Sequence, residues 1–416
     1  MYTIGITMDS CNLGAQIFNN GLRQNAVYLY LLFKNSGHNP FWLVPKKETF
    51  TNLDGTPNVL TYNEILSNDD VSNKIDIVLE VGIALGTDLI SHFKNNNIAR
   101  VSIKYGNEWL MSTEHITFNI PYGENHFNIV HDQDAIWISP HFEESIDYFK
   151  CIYLCDVNIC PYIWDPFIIQ KPIYTNNENK PNIVIMEPNL NFCKSSLIPI
   201  MIVDQLWRLD PNSFNKCYIV NGDSIKDKNY FKNNLQPSFE SMKQKHEKVY
   251  FCPRASFNDC VKNKCVILCH QCHCELNYVY LEALHCNIPL IHNSNALKKA
   301  GIDELFYNNL NVFDGVEKIQ FALNNYENCT KYNDKVKEYN SSNENNINGY
   351  VKLVEKAIST FKDNKNKSQL KKIEEEENEK LLEKEESIEE PVVEKESIEE
   401  PVVEKESIEQ PIIKHE

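Results

Sequence analysis

Short apolar runs alternate with longer segments of helical periodicity through the first 330 residues. Apolar runs of this kind predict buried strands, and the segments between them predict helices. A regular alternation of strands and helices favours a parallel, doubly wound sheet. The predicted strands lie at 3–7, 41–44, 75–80, 101–103 and 135–139, and then at 183–186, 216–220, 249–251, 266–268 and 290–291.

The alternation is interrupted at 161–182 by a stretch rich in proline, aromatic residues and asparagine. A break of this kind predicts a linker between two domains. The predicted fold class is therefore α/β, with two doubly wound Rossmann-like domains that face a cleft. The predicted segments are an N-terminal domain at 1–165, a linker at 166–181, a C-terminal domain at 182–330, a helical segment packing back at 331–362 and a tail at 363–416.

The tail differs in composition from the rest of the chain. It carries nineteen acidic and nine basic side chains, and so holds −10 of the formal net charge of −17. Close variants of the decamer EKESIEEPVV follow one another in it at 384–393, 394–403 and 404–413, with a proline in every copy. Because the charge density prevents a core and proline interrupts a continuous helix, we predict a disordered acidic tail.

Charge and hydropathy also limit the partners and the cellular location that we expect for the protein. The part before the tail is only mildly acidic and has no broad basic stripe, so we expect no nucleic-acid partner. The first residues lead directly into a strand, and no apolar run is long enough to span a membrane. We therefore expect a cytoplasmic protein with reduced cysteines.

Two common classes of nucleotide-binding enzyme are excluded by missing motifs. No G-x-G-x-x-G follows any predicted strand, which excludes a dinucleotide-dependent oxidoreductase. No Walker-type phosphate loop is present either. A nucleotide site in this chain would have to use another arrangement of residues.

A strand, loop, helix and strand at 266–291 carry the strongest chemical signal. Asn277 is placed to cap the helix, whose free N–H groups and dipole favour an anion. Glu282 lies about one and a half turns inside, where a carboxylate can reach the ribose of a bound nucleotide. Lys194 follows the first strand of the second half, so we predict that its ammonium binds a diphosphate at the same edge. Arg254 is a weaker second cation.

The loop before this helix is rich in cysteine and histidine, and three interpretations stay open. Its Cys-x-x-Cys spacing is compatible with zinc, although no second ligand pair stands at the usual distance. A Cys–His nucleophile pair would need an orienting group that we cannot identify. We favour packed thiols around a binding loop and expect no bound metal. The residues concerned are Cys269, His270, Cys272, His273 and Cys274.

The run EALHCNIPL, which begins at Glu282, resembles the nucleotide-binding helix of retaining GT-B glycosyltransferases, whose fold is two Rossmann domains. Glu282 matches the second of two spaced glutamates. The position of the first glutamate is occupied by Cys274, and the neighbouring residue, Glu275, carries a carboxylate. The chain also resembles a sparsely characterised GT-B-like family of bacteria and giant viruses. If the chain is viral, this resemblance implies a location in the host cytoplasm or in association with the virion. The motifs that carry this resemblance are Asn20-Gly21, Gln24-Asn25, Tyr105-Gly106-Asn107, Pro161 to Pro166, Glu187-Pro188-Asn189 and Asn277 to Glu282.

The resemblance implies a glycosyltransferase that transfers a sugar, with retention, from a nucleotide-diphosphate sugar to a glycan or protein acceptor. It implies no metal or other cofactor, and it names no catalytic residue. The implied donor-nucleotide contacts are Lys194, Asn277, Tyr278 and Glu282. The implied donor-sugar contacts are Glu275, Glu187 and Asn189, although Glu187 could instead hold the adjacent turn. The implied acceptor contacts are Asn20, Gly21, Gln24, Asn25, Gly106 and Asn107.

Two other interpretations stay open at this point. A GT-B scaffold that has lost catalysis and serves as a binding or structural protein is favoured by the shifted first glutamate. It is also favoured by Asn277 and Asn287, which stand where the GT-B pattern has glycines. The runner-up enzyme is a nucleotide-sugar epimerase of the same fold.

Overall fold

The computed structural model describes residues 1–9, 11–47, 50, 58–119, 131–174, 180–243 and 248–386. Within these ranges, Met1–Lys362 belong to one compact unit that contains two sheets. The described strands of the first sheet are β1 (Thr3–Thr7), β2 (Asn39–Val44), β3 (Val59–Thr61), β4 (Ile77–Val81), β5 (Ala99–Lys104), β6 (Ala135–Ile138) and β7 (Asp156–Ile159).

The first sheet is entirely parallel among its described strands and has the order β3-β2-β1-β4-β5-β6-β7. Its central strands are buried on both faces because their side chains alternate between two apolar cores. On β4, Ile77 and Leu79 belong to one core and Val78 to the other. Burial on both faces explains why the central strands read as near-continuous apolar runs in the sequence.

The second sheet follows the same plan with fewer strands. Its described strands are all parallel and have the order β10-β9-β8-β11-β12. These strands are β8 (Asn182–Ile185), β9 (Cys217–Ile219), β10 (Val249–Phe251), β11 (Cys265–Leu268) and β12 (Leu290–Ile291).

Helices connect the strands of both sheets. The α-helices of the described residues are α1 (Leu13–Gln16), α2 (Gly21–Asn35), α3 (Tyr62–Ser67), α4 (Asp69–Ser72), α5 (Thr87–Asn95), α6 (Glu108–Phe118), α7 (Ile146–Tyr153), α8 (Leu197–Leu209), α9 (Asp223–Lys226), α10 (Phe257–Cys260), α11 (Tyr278–His285), α12 (Asn295–Lys299), α13 (Val312–Asn324), α14 (Asn333–Lys337) and α15 (Glu344–Glu386). Short 3-10 turns lie at Ile17–Asn19, Pro140–Ser145, Pro166–Ile168, Gln236–Ser238, Glu240–Met242 and Tyr326–Asn328, and a π turn lies at Phe231–Leu235.

Each sheet reverses its winding direction once. The first sheet proceeds from β1 outward through β2 and β3 and then returns to β4 on the other side of β1. The second sheet reverses in the same way between β8 and β11. Open parallel sheets bind ligands at the carboxyl ends of the strands beside such a reversal. The loops after β1, β4, β8 and β11 are therefore the positions where a ligand site is expected.

Aromatic side chains join the two halves of the compact unit. The ring of Tyr28 on α2 meets the ring of Tyr278 on α11 edge-on, with centroids 5.2 Å apart. Tyr162, between the sheets in sequence, lies 5.4 Å from the same Tyr278 ring. The first part of α15 packs against the first sheet through Tyr350, which is fully buried and donates a hydrogen bond to the Pro161 carbonyl at 2.9 Å.

The predicted fold class, α/β with two doubly wound parallel sheets, is confirmed. Two strands of the first sheet, β3 and β7, were not predicted. Both lie at the edges of the sheet, so among the described residues one side of each has no neighbouring strand. Strand β7 is only partly buried and contains Asp156 and Asn158, so it presents no apolar run in the sequence.

The structure differs from the prediction at the start of the tail. The predicted disorder began at residue 363, whereas α15 continues to Glu386. This stretch is rich in lysine and glutamate, which are strong helix formers, and the first proline of the repeats is Pro391. Lys371 and Glu375, one turn apart, add an exposed ion pair at 3.7 Å. The remaining repeats, at 387–416, lie outside the described residues. No helix among the described residues is both long and apolar enough to cross a bilayer.

Gly82, directly after β4, should not tolerate a side chain. Its φ is +68°, and an added Cβ would lie 2.3 Å from the Leu22 Cδ1 atom on α2. Backbone strain and overpacking together should make Gly82→Ala less stable by about 2–4 kcal/mol. Gly37→Ala is the matched control, because Gly37 has a φ of +80° and an added Cβ there would meet nothing within 4 Å. Chemical denaturation should show the larger loss at Gly82, and equal losses would refute the close packing.

Candidate functional site

A cleft of about 720 Å³ lies where the loops after β1, β4, β8 and β11 meet. Both halves of the compact unit line it. The volume falls within the range of small-molecule sites in proteins. The cleft is located at the reversal of winding in each sheet, which is where the topology places a ligand site. Its polar lining residues include Asn20, Gln24, Glu80, Lys104, Asn107, Gln133, Glu187, Lys194, Arg254, Asn277 and Glu282.

The helix α11 begins at the cleft. Its cap is Asn277, whose side-chain oxygen accepts a hydrogen bond from the Val279 N–H at 3.2 Å. Tyr278 follows, and its hydroxyl donates to the side chain of Asn25 on α2. Asn277, Tyr278 and Val279 all line the cleft, so the N-terminus of the helix lies at the cleft. A helix terminus in this position favours a negative charge.

Glu282 lies on the next turn of α11 and is only 2% exposed. Its Oε1 accepts a hydrogen bond from Nε2 of Gln24, which belongs to α2, at 3.2 Å. Burial raises the pKa of the Glu282 carboxyl to about 7, and the bond from Gln24 opposes that rise. Near neutral pH this carboxyl is therefore partly protonated, and it can accept or donate a hydrogen bond at the cleft.

Glu187 follows β8 and connects two cleft loops. Its carboxyl accepts hydrogen bonds from the backbone N–H of His270 at 2.9 Å and from Nε2 of Gln271 at 3.2 Å. Burial raises its pKa to about 8, although both bonds and the nearby charge of Lys194 oppose the rise. The contacts of Glu187 are structural, since they hold the loop after β11. The residue also lines the cleft.

Two basic side chains line the second-domain side of the cleft. Lys194 lies in the loop between β8 and α8, and Arg254 lies between β10 and α10. Neither forms an ion pair with a carboxylate of the described residues. The pKa of Arg254 is lowered by partial burial and by the neighbouring charge of Arg23. Two cations without a carboxylate partner create a local positive field, and this field favours an anionic ligand.

Two of the predicted donor-sugar residues do not line the cleft. Glu275 instead accepts a hydrogen bond from Nδ2 of Asn295, at 2.9 Å, beside α12. Asn189, with a φ of +53°, uses its side-chain oxygen to accept from the Ser196 N–H at 2.7 Å and its amide to bond the Glu187 carbonyl. Both side chains are occupied by contacts that shape their own loops.

The six predicted acceptor residues all line the cleft. Several of them use their polar groups to contact the second half of the unit rather than open space. Asn25 accepts from Tyr278, and Asn107 donates from Nδ2 to the His273 carbonyl at 2.8 Å. Asn20 caps α2 through a bond from the Leu22 N–H at 3.0 Å. Gly21 has nothing within 4 Å of an added Cβ and so faces open space.

The cleft residues that were not identified from the sequence include Gly82, Glu80 and Gln133. A glycine two residues after a predicted strand was a usable signal for Gly82. Glu80 lies within β4, where an apolar run concealed it. Gln133 precedes β6 and carries no local signal at all.

The Cys/His loop disperses its side chains among different neighbours. His270 bonds through Nδ1 to the Tyr307 hydroxyl at 2.9 Å, while Cys274 packs in an apolar cluster with Cys193. Burial raises the pKa of Cys193 to about 12, so its thiol stays protonated at neutral pH. All fourteen cysteines are free thiols. Among the described residues, no group of three or more His, Cys, Asp and Glu side chains is arranged to hold a metal ion.

Several solved structures share this fold. Sucrose-phosphate synthase from Thermosynechococcus elongatus is 10% identical, with a TM-score of 0.52 over 86% of this chain and 100% of that chain. The N-terminal domain of trehalose-6-phosphate phosphatase from Candida albicans is 11% identical, with a TM-score of 0.55 over 86% of this chain and 97% of that chain. Anabaena HepE, in complex with UDP, is 10% identical, with a TM-score of 0.52 over 86% of this chain and 100% of that chain. These likenesses confirm the GT-B glycosyltransferase-like fold.

Comparison by sequence gives two further results. No curated protein matches the chain. One family model matches residues 4–362, a range that contains both sheets and the whole cleft. The chain therefore belongs to the family described as "Protein of unknown function (DUF2827)".

Proposed function

We propose that the protein is a glycosyltransferase that transfers a sugar from a nucleotide-diphosphate sugar to an acceptor hydroxyl. The observation that carries the proposal is the placement of Lys194 and Arg254, without carboxylate partners among the described residues, in the same cleft as the N-terminus of α11. A diphosphate is an anion that these three elements would bind together.

The buried carboxyls of the cleft do not cancel this positive charge near pH 7. The pKa values of Glu187 and Glu282 are raised to about 8 and about 7, so both groups are largely or partly neutral there. Lys194 and Arg254 then set the sign of the local field. Glu282, one turn deeper than the helix terminus, is at a suitable depth for a ribose hydroxyl beside a docked diphosphate.

A solved relative in fold supports the same assignment. The HepE structure, which shares this architecture, is a complex with UDP. At 10% identity the likeness concerns the fold, so the nucleotide is part of our proposal for this chain. The base and the sugar are left open by the residues of the cleft.

The proposed transfer breaks the bond between C1 of the donor sugar and the diphosphate oxygen. It forms a bond between C1 and the acceptor oxygen, and the acceptor proton passes to the departing diphosphate. Lys194, Arg254 and the α11 terminus would stabilise the charge that develops on the leaving group. Because the leaving phosphate can take the proton, retention of configuration requires no protein nucleophile.

Turnover can be tested by incubating the protein with UDP-, GDP- and ADP-sugars and measuring the released nucleoside diphosphate. The proposal predicts release from at least one donor, with product of the same anomeric configuration as the donor in a proton NMR spectrum. Inverted product would refute retention, and absence of release from every donor would refute the enzyme assignment.

A binding protein without catalysis is the second candidate. It is favoured by the position of Glu275, which faces α12 and leaves the donor-sugar region without the first glutamate of the GT-B pattern. This candidate predicts that a nucleotide sugar binds but is not consumed. The turnover assay, combined with a binding measurement on the same donor, therefore separates the two functions.

Replacing Lys194 should weaken nucleoside diphosphate binding selectively. Lys194→Ala removes one charged hydrogen bond to the diphosphate, so the Kd should rise by roughly 10- to 100-fold, while the Kd of the nucleoside changes little. Lys228→Ala is the matched control, because Lys228 is an exposed lysine of the same domain. Isothermal titration of both variants gives the comparison. An unchanged diphosphate affinity in Lys194→Ala would show that this side chain does not contact the ligand.

A further inference from the structure

The first-domain side of the cleft differs in character from the side with Lys194 and Arg254. Much of its wall is apolar and comes from the segments around α2, β4, β5 and α6. The polar groups of this wall include Ser102 on β5, which is paired in register with Glu80 on β4. The apolar lining residues are Phe18, Leu22, Ile83, Ala84, Ile103 and Met111.

The described charges on this wall already have partners or are negative. Glu80 forms a buried ion pair with Arg100 at 2.8 Å. Lys104 pairs with Glu108 at 3.2 Å and donates to the Tyr153 hydroxyl at 2.7 Å. Glu114, on α6, accepts a hydrogen bond from the Phe192 N–H at 2.9 Å. Among the described residues, this wall therefore offers no unpaired cation, and Glu114 would repel a second anion.

Gln133 is a buried polar residue of this wall. It is 6% exposed and lines the cleft, and its side-chain Oε1 has no hydrogen-bond partner among the described residues. A buried carbonyl oxygen without a partner costs free energy, and a ligand hydroxyl that donates to it would recover that cost. The unpaired oxygen thus indicates a ligand with a hydroxyl donor.

We propose that this wall binds a neutral carbohydrate acceptor, with Oε1 of Gln133 accepting a hydrogen bond from one of its hydroxyls. A sugar ring has an apolar C–H face that can pack against Ile103 and Met111. Its hydroxyls are donors that can supply the missing hydrogen bond to Oε1 of Gln133. A phosphorylated or carboxylated sugar finds no unpaired cation among the described residues of this wall. The inference rests on the proposed glycosyltransferase function and specifies the acceptor class that the function leaves open.

The acceptor class can be tested on the wild-type chain by isothermal titration. The probes are the methyl glycosides of glucose, galactose and mannose, each compared with the corresponding hexose 6-phosphate, with and without saturating UDP, GDP or ADP. At least one methyl glycoside should bind at least about tenfold more tightly than its phosphate. The inference is overturned if the phosphates bind equally well or better, or if no methyl glycoside binds. If no nucleotide binds, the proposed function fails, while the comparison of glycoside with phosphate still tests the wall.

A variant tests the residue itself. Gln133→Leu should weaken binding of the preferred methyl glycoside at least about tenfold and leave the Kd of the nucleotide unchanged. Its Tm should not fall, because the substitution removes a buried polar group without a partner. Gln170→Leu, at an exposed glutamine, is the matched control. Glycoside affinity equal to wild type in Gln133→Leu would refute this contact. If that variant fails to fold, the wild-type comparison of glycosides and phosphates decides the acceptor class.

Discussion

The free energy of unfolding should fall as the pH rises from about 5 to about 8, and Glu187 should account for much of that fall. Its pKa is raised from 4.5 to about 8 because the carboxyl is buried between the loops after β8 and β11. Between these two values the folded chain keeps the proton that the unfolded chain has lost. The stability that Glu187 contributes therefore decreases with rising pH across this interval and is fully lost above the folded pKa.

The size of this effect follows from the shift. Each pKa unit corresponds to about 1.4 kcal/mol, so the loss from Glu187 should be on the order of a few kcal/mol. Glu187→Gln cannot ionise, and it should flatten the slope of unfolding free energy against pH. Its amide can still bond Gln271, whose Oε1 has no partner among the described residues and can accept after a flip.

Urea denaturation at a series of pH values provides the measurement. Glu282, with a pKa of about 7, contributes to the same slope, so the variant should reduce the slope rather than abolish it. Glu143→Gln, at an exposed carboxyl, serves as the control. If Glu187→Gln keeps the wild-type slope, the Glu187 carboxyl is ionised in the folded protein and does not hold the loop as a neutral group.

Replacing Glu282 should weaken the binding of nucleosides and of nucleoside diphosphates by the same factor. If its carboxyl bonds the ribose, Glu282→Ala loses that bond for every ligand that carries the sugar. The expected cost is about 1.5–3 kcal/mol, or roughly 10- to 150-fold in Kd. This pattern differs from that of Lys194→Ala, which should act on the diphosphate alone.

The matched control for Glu282 is its partner on α2. Gln24→Leu removes the hydrogen bond at 3.2 Å but leaves the carboxyl in place. Its effect on nucleoside binding should be much smaller than that of Glu282→Ala. Equal effects of the two variants would indicate that the Gln24–Glu282 bond, and not a ribose contact, determines the affinity. Tm values for both variants identify any general loss of folding.

The sequence was sufficient to predict the alternation of strands and helices, and through it the doubly wound α/β sheets. Central strands such as β1 and β11 are buried on both faces, so their apolar runs are visible without any tertiary information. The edge strands β3 and β7 are short, and β7 is partly polar. Their pairing depends on a neighbouring strand that the local sequence does not identify.

The position of the cleft could also be inferred, because parallel sheets place strand-end loops at one edge. The individual side-chain contacts in the cleft could not be inferred from the sequence. Gln24 and Glu282 are 258 residues apart in sequence, and only the packing of α2 beside α11 brings them together. Glu275 illustrates the same limit on a smaller scale, since a loop conformation directs its side chain toward Asn295 instead of the cleft.

The tail shows a competition between two local tendencies. Proline and charge density favoured disorder from residue 363, but lysine and glutamate are strong helix formers. In the stretch up to Glu386 there is no proline, and the helix tendency prevails. A boundary placed at the first proline, instead of at the change in composition, would have come closer to the end of α15.

Isothermal titration of the wild-type chain with UDP, GDP and ADP, and with the three matching nucleosides, tests the central claim most directly. We predict that at least one nucleoside diphosphate binds with a Kd at least about tenfold lower than its nucleoside, because Lys194, Arg254 and the α11 terminus contact the diphosphate. The double variant with Lys194→Ala and Arg254→Ala should remove that difference. No binding by any nucleoside diphosphate, or equal affinity for nucleoside and diphosphate, would contradict the claim that this cleft is a donor-nucleotide site.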